Sequence, residues 1–344
     1  MFGWLKDKPQ QLTLVDGHGS ALYTRTLEPK ETVLNGALRH GVPFPYSCKV
    51  GGCATCKCQL LSGKVKELTD KSYLLSTAEL QANYILGCQS IPRSDVVVRL
   101  PAPVTETLRG TLDRVDWLTH DIAEAHLILA RPVHYRPGQY ASVAPADGTL
   151  PARCYSFAHA GASTGETNIS FFIRKIPDGN LSHWLTDEAN IGKAIELSAV
   201  SGECYLREDD SPLLCVAGGS GLSPIVAILE GALSSGQDTR PVQLMFGART
   251  RDDLYFLDEL DAMAGSWRAG FTFTPVLSHE PEDSDWQGLR GWLADAIMAG
   301  QATGHQAYLC GPPAMIDTCL ARLEALGIPP DRIFFDRFTD QSAP

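Results

Sequence analysis

The chain has 344 residues, 44% of them hydrophobic and 20% charged, and its formal net charge is −11. Such a length and composition indicate a globular protein of two or three domains. The sequence contains no run of 18 apolar residues, which argues against a transmembrane helix, and its acidic balance argues against general nucleic-acid binding.

The first hundred residues differ in charge from the rest of the chain. Residues 1–103 carry 12 Lys and Arg against 8 Asp and Glu, a net charge of +4, whereas the remainder has a net charge of −15. This asymmetry indicates a separate unit with partners of its own. The proline-containing segment 101–107, PAPVTET, is the clearest linker candidate.

Short strands and helices are predicted within this first unit. They are strands at 11–15, 21–25 and 95–100, helices near 32–40 and 77–82, and a hairpin around Ser62 and Gly63. A cysteine-rich loop, YSCKVGGCATCKCQ, follows the first helix at residues 46–59.

The cysteine spacing in this loop is that of a plant-type [2Fe-2S] site. Cys48, Cys53 and Cys56 have the required x4 and x2 gaps, and the fourth thiolate of such sites comes from a distance. Cys88, in ILGCQS, is the natural fourth ligand. Cys58 follows on the next predicted strand, so we expect it to flank the cluster without binding it. A structural zinc site and a set of unrelated structural thiols are the alternatives.

The start of the chain bears on the redox state of these cysteines. The segment MFGWLKDKPQ lacks the apolar core of a signal peptide. A reducing compartment is therefore expected, which favours metal ligation over disulfides for clustered cysteines.

The segment from Arg109 to about Leu206 has the pattern of an antiparallel barrel or sandwich. Six strands are predicted at 110–118, 123–130, 140–144, 153–158, 168–176 and 194–200, with one helix at 182–188.

The fourth of these strands carries a segment, Arg-Cys-Tyr-Ser, that suits a flavin. Alternation puts Arg153 and Tyr155 on one face of the strand. Arg153 can bind a pyrophosphate through its charged fork, and Tyr155 can stack on the isoalloxazine ring. Ser156 offers a hydroxyl near the flavin N5. In most proteins an Arg-x-Tyr-Ser strand serves only the surface and the packing of the fold. The flavin interpretation therefore depends on the neighbouring motifs.

Three neighbouring motifs accompany this strand. Pro137-Gly-Gln-Tyr140 precedes it, Phe172-Ile-Arg174 follows it, and Gly179-Asn-Leu-Ser182 then lies at a predicted helix start. Ser182 is predicted to be the N-cap, and the exposed N–H groups at that terminus suit a phosphate.

From Pro212 onward, strands and helices alternate. Strands are predicted at 213–217, 242–246, 272–277, 307–310 and 333–335, with helices at 224–233, 255–263 and 314–326. This is the pattern of an open, mostly parallel α/β sheet.

Two strand-end turns of this sheet suit a dinucleotide. The segment 215–224, CVAGGSGLSP, runs from a strand through a glycine loop to a helix whose first turn holds Pro224. It is not the G-x-G-x-x-G fingerprint. The segment 309–315, LCGPPAM, forms the second turn, where Cys310 is expected against the nicotinamide. The alternative for Cys310 is a small buried residue at a strand end.

The ordered set of motifs resembles the ferredoxin–NADP reductase-like flavoproteins. It is most similar to the reductase components of bacterial oxygenases that carry an N-terminal plant-type ferredoxin domain. The segments CKVGGCATCKCQLLSGKVKEL, YILGCQSIP, FGARTRDDLYFLDEL and AYLCGPPAMID are similar to the reductase of xylene monooxygenase. The segments DWQGLRGW and GIPPDRIFFDRF are similar to those of soluble methane monooxygenase and phenol hydroxylase. The resemblance covers nearly the whole chain.

This resemblance implies a multidomain fold. It comprises a β-grasp ferredoxin domain of the α+β class at 1–103, an antiparallel β-barrel FAD-binding domain at 104–208 and an α/β parallel-sheet NAD-binding domain at 209–344. The implied cofactors are a [2Fe-2S] cluster, FAD and NADH.

The resemblance also implies residue roles. The cluster would be held by Cys48, Cys53, Cys56 and Cys88. The FAD-binding set would be Gln139, Tyr140, Arg153, Tyr155, Ser156, Arg174, Gly179 and Ser182. The nucleotide-binding set would be Gly218, Gly219, Ser220, Gly221, Pro224, Arg249, Asp253, Cys310, Gly311 and Pro312. Tyr155, Ser156 and Cys310 would lie at the site of hydride transfer, and Phe335 or Phe338 would cover the other flavin face.

NADH is expected rather than NADPH. Asp252 and Asp253 in GARTRDDLYF disfavour a 2′-phosphate, although Arg249 and Arg251 in the same loop favour one.

The expected function is an electron relay from NADH through FAD and the cluster to a non-haem iron oxygenase of hydrocarbons or aromatics, diiron rather than Rieske. The alternatives are a different acceptor, such as a Rieske dioxygenase or a deoxysugar dehydrase system, and a redox-sensing module without turnover. The oxygenase component or a small ferredoxin is the expected protein partner, and the basic first unit is expected to dock on an acidic surface. A cytoplasmic monomer is expected, with peripheral attachment to a membrane-bound oxygenase as the alternative.

Overall fold

The computed structural model of this chain describes residues 8–46, 48–100 and 107–338. The chain divides into two units, one within residues 1–106 and one over residues 107–338. Residues 101–106 of the predicted linker 101–107 lie outside the described residues. The predicted domain boundaries stay predictions.

The first unit has seven strands and two helices among its described residues. They are β1 (Gln10–Val15), β2 (Ala21–Leu27), α1 (Val33–Arg39), β3 (Lys57–Ser62), β4 (Val65–Glu67), α2 (Thr77–Gln81), β5 (Tyr84–Leu86), β6 (Ser90–Pro92) and β7 (Val96–Arg99). A mixed sheet has the order β2-β1-β7-β3-β5, in which only β1 and β7 are parallel, and β4 pairs with β6 in a small second sheet.

Local sequence explains why α1 packs on this sheet. The Thr32 hydroxyl accepts a hydrogen bond from the Asn35 N–H at 3.2 Å and so caps the helix. Val33 and Leu34 are fully buried, as is the Leu12 side chain on β1. The predicted β-grasp fold is confirmed.

The predicted hairpin around Ser62 and Gly63 is wrong. β3 pairs with β5 and β7, whereas β4 belongs to the other sheet. The backbone just after the turn has other partners, because Lys64 accepts from the Arg93 N–H and donates to the Ser94 hydroxyl. The chain therefore leaves the main sheet at Gly63.

The second unit begins with six antiparallel strands. They are β8 (Leu108–Trp117), β9 (Ile122–Val133), β10 (Tyr140–Pro145), β11 (Arg153–Ser156), β12 (Glu166–Arg174) and β13 (Ala194–Ser201), with helix α3 (Asn180–Leu185) between the last two. Their order is β11-β10-β13-β8-β9-β12, and a bridge between Phe157 and Phe171 joins the two edges. The sheet is therefore a nearly closed barrel, as predicted.

The rest of this unit is a six-stranded parallel sheet. Its elements are β14 (Leu213–Gly218), α4 (Leu222–Ser234), β15 (Val242–Ala248), α5 (Leu257–Ser266), β16 (Phe271–Leu277), β17 (Leu289–Arg290), α6 (Leu293–Ala296), α7 (Ala299–Ala302), β18 (Gln306–Gly311), α8 (Pro313–Ala325) and β19 (Ile333–Arg337). The strand order is β17-β16-β15-β14-β18-β19. The central strand β14 is buried on both faces: Cys215 contributes to the core beneath α4 and Val216 to the core beneath α8. The predicted α/β domain is confirmed.

No helix in the described part of the chain is long and apolar enough to span a bilayer.

Candidate functional site

Four cysteines of the first unit form two close pairs. The Sγ atoms of Cys56 and Cys88 lie 3.2 Å apart. The Cys48 N–H donates to the Sγ of Cys53 at 3.4 Å. All four residues are between 3% and 8% exposed. The structure therefore brings together the four predicted ligands in a buried site.

Strand pairing explains how Cys88 reaches the loop. Lys57, at the start of β3, lies opposite Leu86, at the end of β5. A short 3₁₀ turn over Gly87–Gln89 follows β5, and the Gly87 N–H donates to the Cys56 carbonyl at 2.9 Å. The register of β3 and β5 thus places Cys88 beside Cys56.

Backbone donors point at these sulfurs. The Gly52 N–H donates to the Cys48 Sγ at 3.2 Å, and the Cys88 N–H donates to the Cys56 Sγ at 3.5 Å. Gly51 has φ +79°, and a Cβ there would come within 2.8 Å of the Gln89 side chain. The loop therefore needs glycine at this position to wrap closely around the sulfurs.

The chemistry of this donor set fits an iron–sulfur cluster. Hydrogen bonding to Cys53 and burial raise the pKa of Cys48, and hydrogen bonding to Cys88 and burial raise the pKa of Cys56, whereas the bond with Cys56 lowers the pKa of Cys88. A second thiolate within a pair is costly unless a metal takes up its charge. Four soft sulfur donors with N–H groups directed at them suit iron and sulfide.

Cys58 lies apart from these pairs. It is fully buried on β3 opposite Ile85, and its Sγ lies 3.8 Å from the Ile85 carbonyl oxygen. Burial raises the pKa of its thiol. Its exclusion from the ligand set stays a prediction.

The predicted flavin strand is β11, at one edge of the barrel sheet. Arg153 lies opposite Val143 of β10, and Ser156 lies opposite Tyr140. Arg153 donates to the Ala152 carbonyl at 2.8 Å. Tyr155 lies in a tilted arrangement 6.1 Å from Phe171, and burial raises the pKa of Tyr155. Arg153 and Tyr155 are thus on the same face of the strand, as alternation predicts.

Gln139 and Tyr140 lie where β10 begins. The Gln139 side chain donates to the Gly202 carbonyl at 3.1 Å and accepts from the Arg136 N–H at 2.9 Å. Tyr140 is 5% exposed. Gln139 therefore joins the start of β10 to the loop after β13. This contact stabilises the end of the barrel at which β10 pairs with β11.

The turn before α3 borders a cavity of about 640 Å³. Its lining residues are Leu150, Pro177, Asp178, Gly179, Asn180, His183, Trp184, Asp187 and Asn190. A cavity of this size at the predicted phosphate turn fits part of a dinucleotide cofactor.

The predicted N-cap role of Ser182 is wrong. The helix begins two residues earlier, with Gly179 as its N-cap. The Ser182 hydroxyl donates to the Gly179 carbonyl at 2.8 Å and accepts from the Ile176 N–H at 3.4 Å. Ser182 therefore stabilises the turn from within the first turn of the helix.

Arg174 lies between the barrel and the glycine loop. Its Nε and Nη2 donate to Asp121 at 2.9 and 2.8 Å. Its Nη1 lies 3.3 Å from the position that a Cβ on Gly219 would occupy. The structure thus places Arg174 next to the predicted pyrophosphate loop as well as at the end of β12.

The glycine loop contacts the flavin strand. Gly218 ends β14, a 3₁₀ turn follows, and α4 begins at Leu222, so Pro224 lies in the first helical turn, as predicted. The Ser223 hydroxyl donates to the Ser156 carbonyl at 3.1 Å. A Cβ on Gly221 would come within 2.2 Å of the Cys310 carbonyl oxygen, so only glycine fits there. The two strand-end turns and β11 therefore meet at one place.

Cys310, the second-last residue of β18, lies at this meeting point and is fully buried. Its Sγ lies 3.7 Å from that of Cys204, and burial raises the pKa of Cys310. Asp336 lies opposite Cys310 on β19 and is 4% exposed. Its Oδ2 is without a hydrogen-bond partner among the described residues, and burial raises its pKa to about 8.

The two candidate aromatics occupy different positions. Phe335 lies on β19 and packs against the core beneath α8, with Arg337 over its ring. The Phe338 N–H donates to the Gly311 carbonyl at 2.9 Å, and the Phe338 ring packs against the core beneath α4. Phe338 is therefore the aromatic that lies next to the Gly311–Pro312 turn.

Arg249 and Asp253 follow β15 and are both held by internal contacts. Arg249 donates to Asp121 at 2.9 Å. The Asp253 Oδ2 accepts from the Thr250 N–H at 2.9 Å, and its Oδ1 lies 3.6 Å from the His120 Nδ1. Asp253 thus caps its own turn and faces the barrel.

Sequence reasoning missed Asp121, Asp336 and Cys204. No local motif marks them, because each reaches the site through contacts between elements far apart in the chain. Asp121 could have been suspected only from its place in a turn, Thr119–Ile122, beside the predicted strand end.

Three family models match the chain in sequence. The 2Fe-2S iron-sulfur cluster binding domain matches residues 19–93, the oxidoreductase FAD-binding domain residues 109–205, and the oxidoreductase NAD-binding domain residues 215–320. The cysteine loop, the barrel and the parallel sheet correspond to these three matches.

Two curated relatives are similar over most of their length. The xylene/toluene monooxygenase electron transfer component of Pseudomonas putida is 38% identical over 316 residues, which are 90% of this chain and 89% of the relative. The reductase component of phenol 2-monooxygenase from Pseudomonas sp. strain CF600 is 33% identical, over 91% of this chain and 90% of the relative.

Two solved structures are similar over nearly the whole chain. A cytochrome P450 reductase of Amycolatopsis has a TM-score of 0.67 and 32% identity, over 96% of this chain and 100% of its own. A ferredoxin reductase in carbazole 1,9a-dioxygenase has a TM-score of 0.65 and 28% identity, over 96% of this chain and 99% of its own.

Proposed function

Because the chain belongs to the family of electron-transfer reductase components that serve mono- and dioxygenases, we propose that it passes electrons from NADH, through FAD and a [2Fe-2S] cluster, to a non-haem iron oxygenase. It is an oxidoreductase with one domain for each of the three cofactors. The proposed limits of these domains are residues 1–103, 104–208 and 209–344. The observation that carries the proposal is the meeting of the glycine loop, the Cys310 turn and β11 at one place, in the same chain as the buried cysteine site.

The cluster ligands are Cys48, Cys53, Cys56 and Cys88. The two close pairs, Cys48 with Cys53 and Cys56 with Cys88, would together hold the cluster. The N–H groups directed at the sulfurs stabilise the negative charge of the site and so tune its potential.

The FAD site uses the face of β11 that carries Arg153 and Tyr155, together with the turn before α3. Arg153 neutralises the pyrophosphate, Tyr155 stacks on the ring, and the Gly179–Asn180 turn contributes N–H groups to phosphate. Ser156 offers its hydroxyl near N5. Phe338, rather than Phe335, covers the other flavin face, because it lies next to the Gly311–Pro312 turn.

The nucleotide lies across the carboxyl edge of the parallel sheet. Gly218–Gly221 and the first turn of α4 hold its pyrophosphate, while Cys310 and Pro312 direct the nicotinamide toward the flavin strand. The role of these residues is to hold the two rings at contact distance and to exclude water. The chemistry belongs to the cofactors, which exchange a hydride between nicotinamide and flavin and single electrons between flavin and cluster.

The proposed acceptor is a diiron oxygenase of hydrocarbons or aromatics. The relatives that serve xylene/toluene monooxygenase and phenol 2-monooxygenase support this choice. A Rieske dioxygenase system is the second candidate, because a naphthalene 1,2-dioxygenase reductase component of Pseudomonas putida is 33% identical over 87% of this chain. We propose a cytoplasmic monomer that docks on the oxygenase or on a small ferredoxin.

The test of this function has two steps. The purified protein should show the visible spectrum of a flavin together with a [2Fe-2S] cluster, and NADH should reduce ferricyanide and cytochrome c rapidly. Mixed with candidate diiron and Rieske oxygenases, it should then support hydroxylated product with the diiron partner. If the protein does not oxidise NADH, the proposed function is wrong and only a redox-sensing role is left. If hydroxylated product forms with the Rieske partner alone, the assignment of a diiron oxygenase as the acceptor is wrong.

A further inference from the structure

The loop after β15 contains two arginines, and carboxylates hold both of them. The Arg249 Nη2 donates to the Asp121 Oδ2 at 2.9 Å. Arg251 donates to Glu280 at 3.0 Å and forms a second ion pair with Asp285. These are the two cations of the loop that could bind a 2′-phosphate, and neither guanidinium lacks an anionic partner.

The Asp121 carboxylate comes from the barrel and not from the nucleotide-binding sheet. Asp121 lies in the turn between β8 and β9, and its side chain is 19% exposed. The Thr119 hydroxyl donates to its Oδ1 at 3.2 Å, which fixes the side-chain direction. Hydrogen bonding to Arg174 holds the pKa of Asp121 below its usual value against the opposing effect of burial. Asp121 is therefore a fixed anion that faces the loop.

This anion affects the two nucleotides differently. A 2′-phosphate is recognised best by a guanidinium whose N–H groups are free to donate in pairs. Asp121 occupies the Arg249 Nη2, so Arg249 would have to give up this bond to offer all its N–H groups to that phosphate. NADH has a ribose hydroxyl at this position and does not meet this cost. Specificity that depends on a cost against the wrong ligand is a common device.

We propose that Asp121 determines the preference for NADH by holding Arg249 away from a 2′-phosphate. The proposal rests on the proposed function, since it assigns the selectivity of the same nucleotide site. Asp121 acts through Arg249 and is a positioning residue. The selectivity of the nucleotide-binding sheet is thus set partly by a turn of the FAD-binding barrel.

The central test is Asp121→Asn, assayed with both nucleotides in the cofactor-loaded protein. Asp121 also contacts Arg174, so the variant can change the rates with NADH and NADPH together. The ratio of kcat/KM for NADPH to that for NADH cancels this common effect. We expect the ratio to rise about fivefold to tenfold, mainly through a lower KM for NADPH, as for loss of one charge–charge contact.

Binding supplies a second measurement that needs no turnover. Calorimetry with 2′-AMP and 5′-AMP should show tighter 2′-AMP binding to Asp121→Asn, with little change for 5′-AMP. Adding Arg249→Ala to the variant should remove both the rise in the NADPH-to-NADH ratio and the tighter binding of 2′-AMP. Asp121→Glu should keep the wild-type ratio, and Asp116→Asn, which removes a carboxylate that pairs with Arg114 on β8, should leave it unchanged.

The outcomes separate this proposal from the proposed function. An unchanged nucleotide ratio and unchanged 2′-AMP affinity in a folded Asp121→Asn would overturn the role of Asp121, while NADH oxidation by the wild type would still stand. A gain that survives Arg249→Ala would also overturn it, because the freed cation would then not be Arg249. Lack of NADH oxidation by the wild type would refute the function, whereas the AMP measurement would still decide the role of Asp121.

Discussion

The Sγ atoms of Cys56 and Cys88 lie 3.2 Å apart although 32 positions separate them in the sequence. The pairing of β3 with β5 produces this contact. Cys58, only two residues after Cys56, points instead to the carbonyl of Ile85 within the sheet. Distance along the chain is thus a poor guide to which cysteines meet in the fold.

Substitution of these two cysteines should have opposite effects. Cys88→Ser removes one of four ligands, so we expect loss of most of the cluster's visible absorption, with FAD reduction by NADH retained. Cys58→Ser keeps a group that can donate to Ile85, so we expect the cluster spectrum to be intact. Cluster loss in Cys58→Ser and retention in Cys88→Ser would show that the fourth ligand has been misassigned.

Phe338 and Phe335 provide a matched pair of aromatics. Phe338→Ala should alter the flavin spectrum and slow its reduction by NADH, because Phe338 lies next to the Gly311–Pro312 turn. Phe335→Ala should leave the flavin spectrum unchanged and lower the free energy of unfolding by about 2 kcal/mol, somewhat less than for a fully buried ring. Absorbance and chemical denaturation measure the two effects. If only Phe335→Ala perturbs the flavin spectrum, Phe335 and not Phe338 covers the flavin face.

His159 joins the barrel to α4 and should make stability depend on pH. It lies 3.0 Å from Glu124 and 2.9 Å from Glu230. Burial lowers its pKa, but hydrogen bonds to these two carboxylates outweigh burial and raise the pKa to about 10, from 6.5 in an unfolded chain. The stabilisation is therefore complete below about pH 6.5 and is lost as the pH rises toward 10.

The matching experiment compares thermal unfolding of the wild type and His159→Gln. The wild type should unfold at a higher temperature at pH 6.5, and the difference should shrink steadily by pH 10. A difference that is constant over this range would mean that the imidazolium does not stabilise the junction.

Electron delivery should depend on ionic strength. The first 103 residues carry a net charge of +4 by sequence, so we expect them to dock on an acidic surface. Added salt screens such attraction beyond about 10 Å at 0.1 M. The rate of transfer to the acceptor should fall as salt rises, while the rate of flavin reduction by NADH should change little. A transfer rate indifferent to salt would exclude charge-steered docking.

Local patterns were sufficient for most of the fold and for the four cysteines that the structure places in two close pairs. Strand alternation predicted β11, and the glycine loop predicted the turn from β14 to α4. The predicted hairpin at Gly63 failed because the backbone of Lys64 bonds to residues about 30 positions away, which no local pattern reveals. Ser182 failed as an N-cap because a glycine one turn earlier takes that position.

The parts that could not be predicted depend on contacts between distant elements. Asp121 meets Arg249 only because a barrel turn packs against the strand end of another sheet. Asp336 lies beside Cys310 only through the register of β18 with β19. The burial of the Asp336 Oδ2 without a hydrogen-bond partner in the described part of the chain is a property of the fold and has no sequence signature.

The most direct test of the electron relay is anaerobic reduction of the full cofactor-loaded protein by NADH, followed by absorbance and by electron paramagnetic resonance. We predict that the flavin absorbance bleaches first and that the signal of a reduced [2Fe-2S] cluster then appears. Cys88→Ser should show the first event without the second. A wild-type cluster that stays oxidised after NADH has reduced the flavin, or NADH that reduces neither, would contradict the relay.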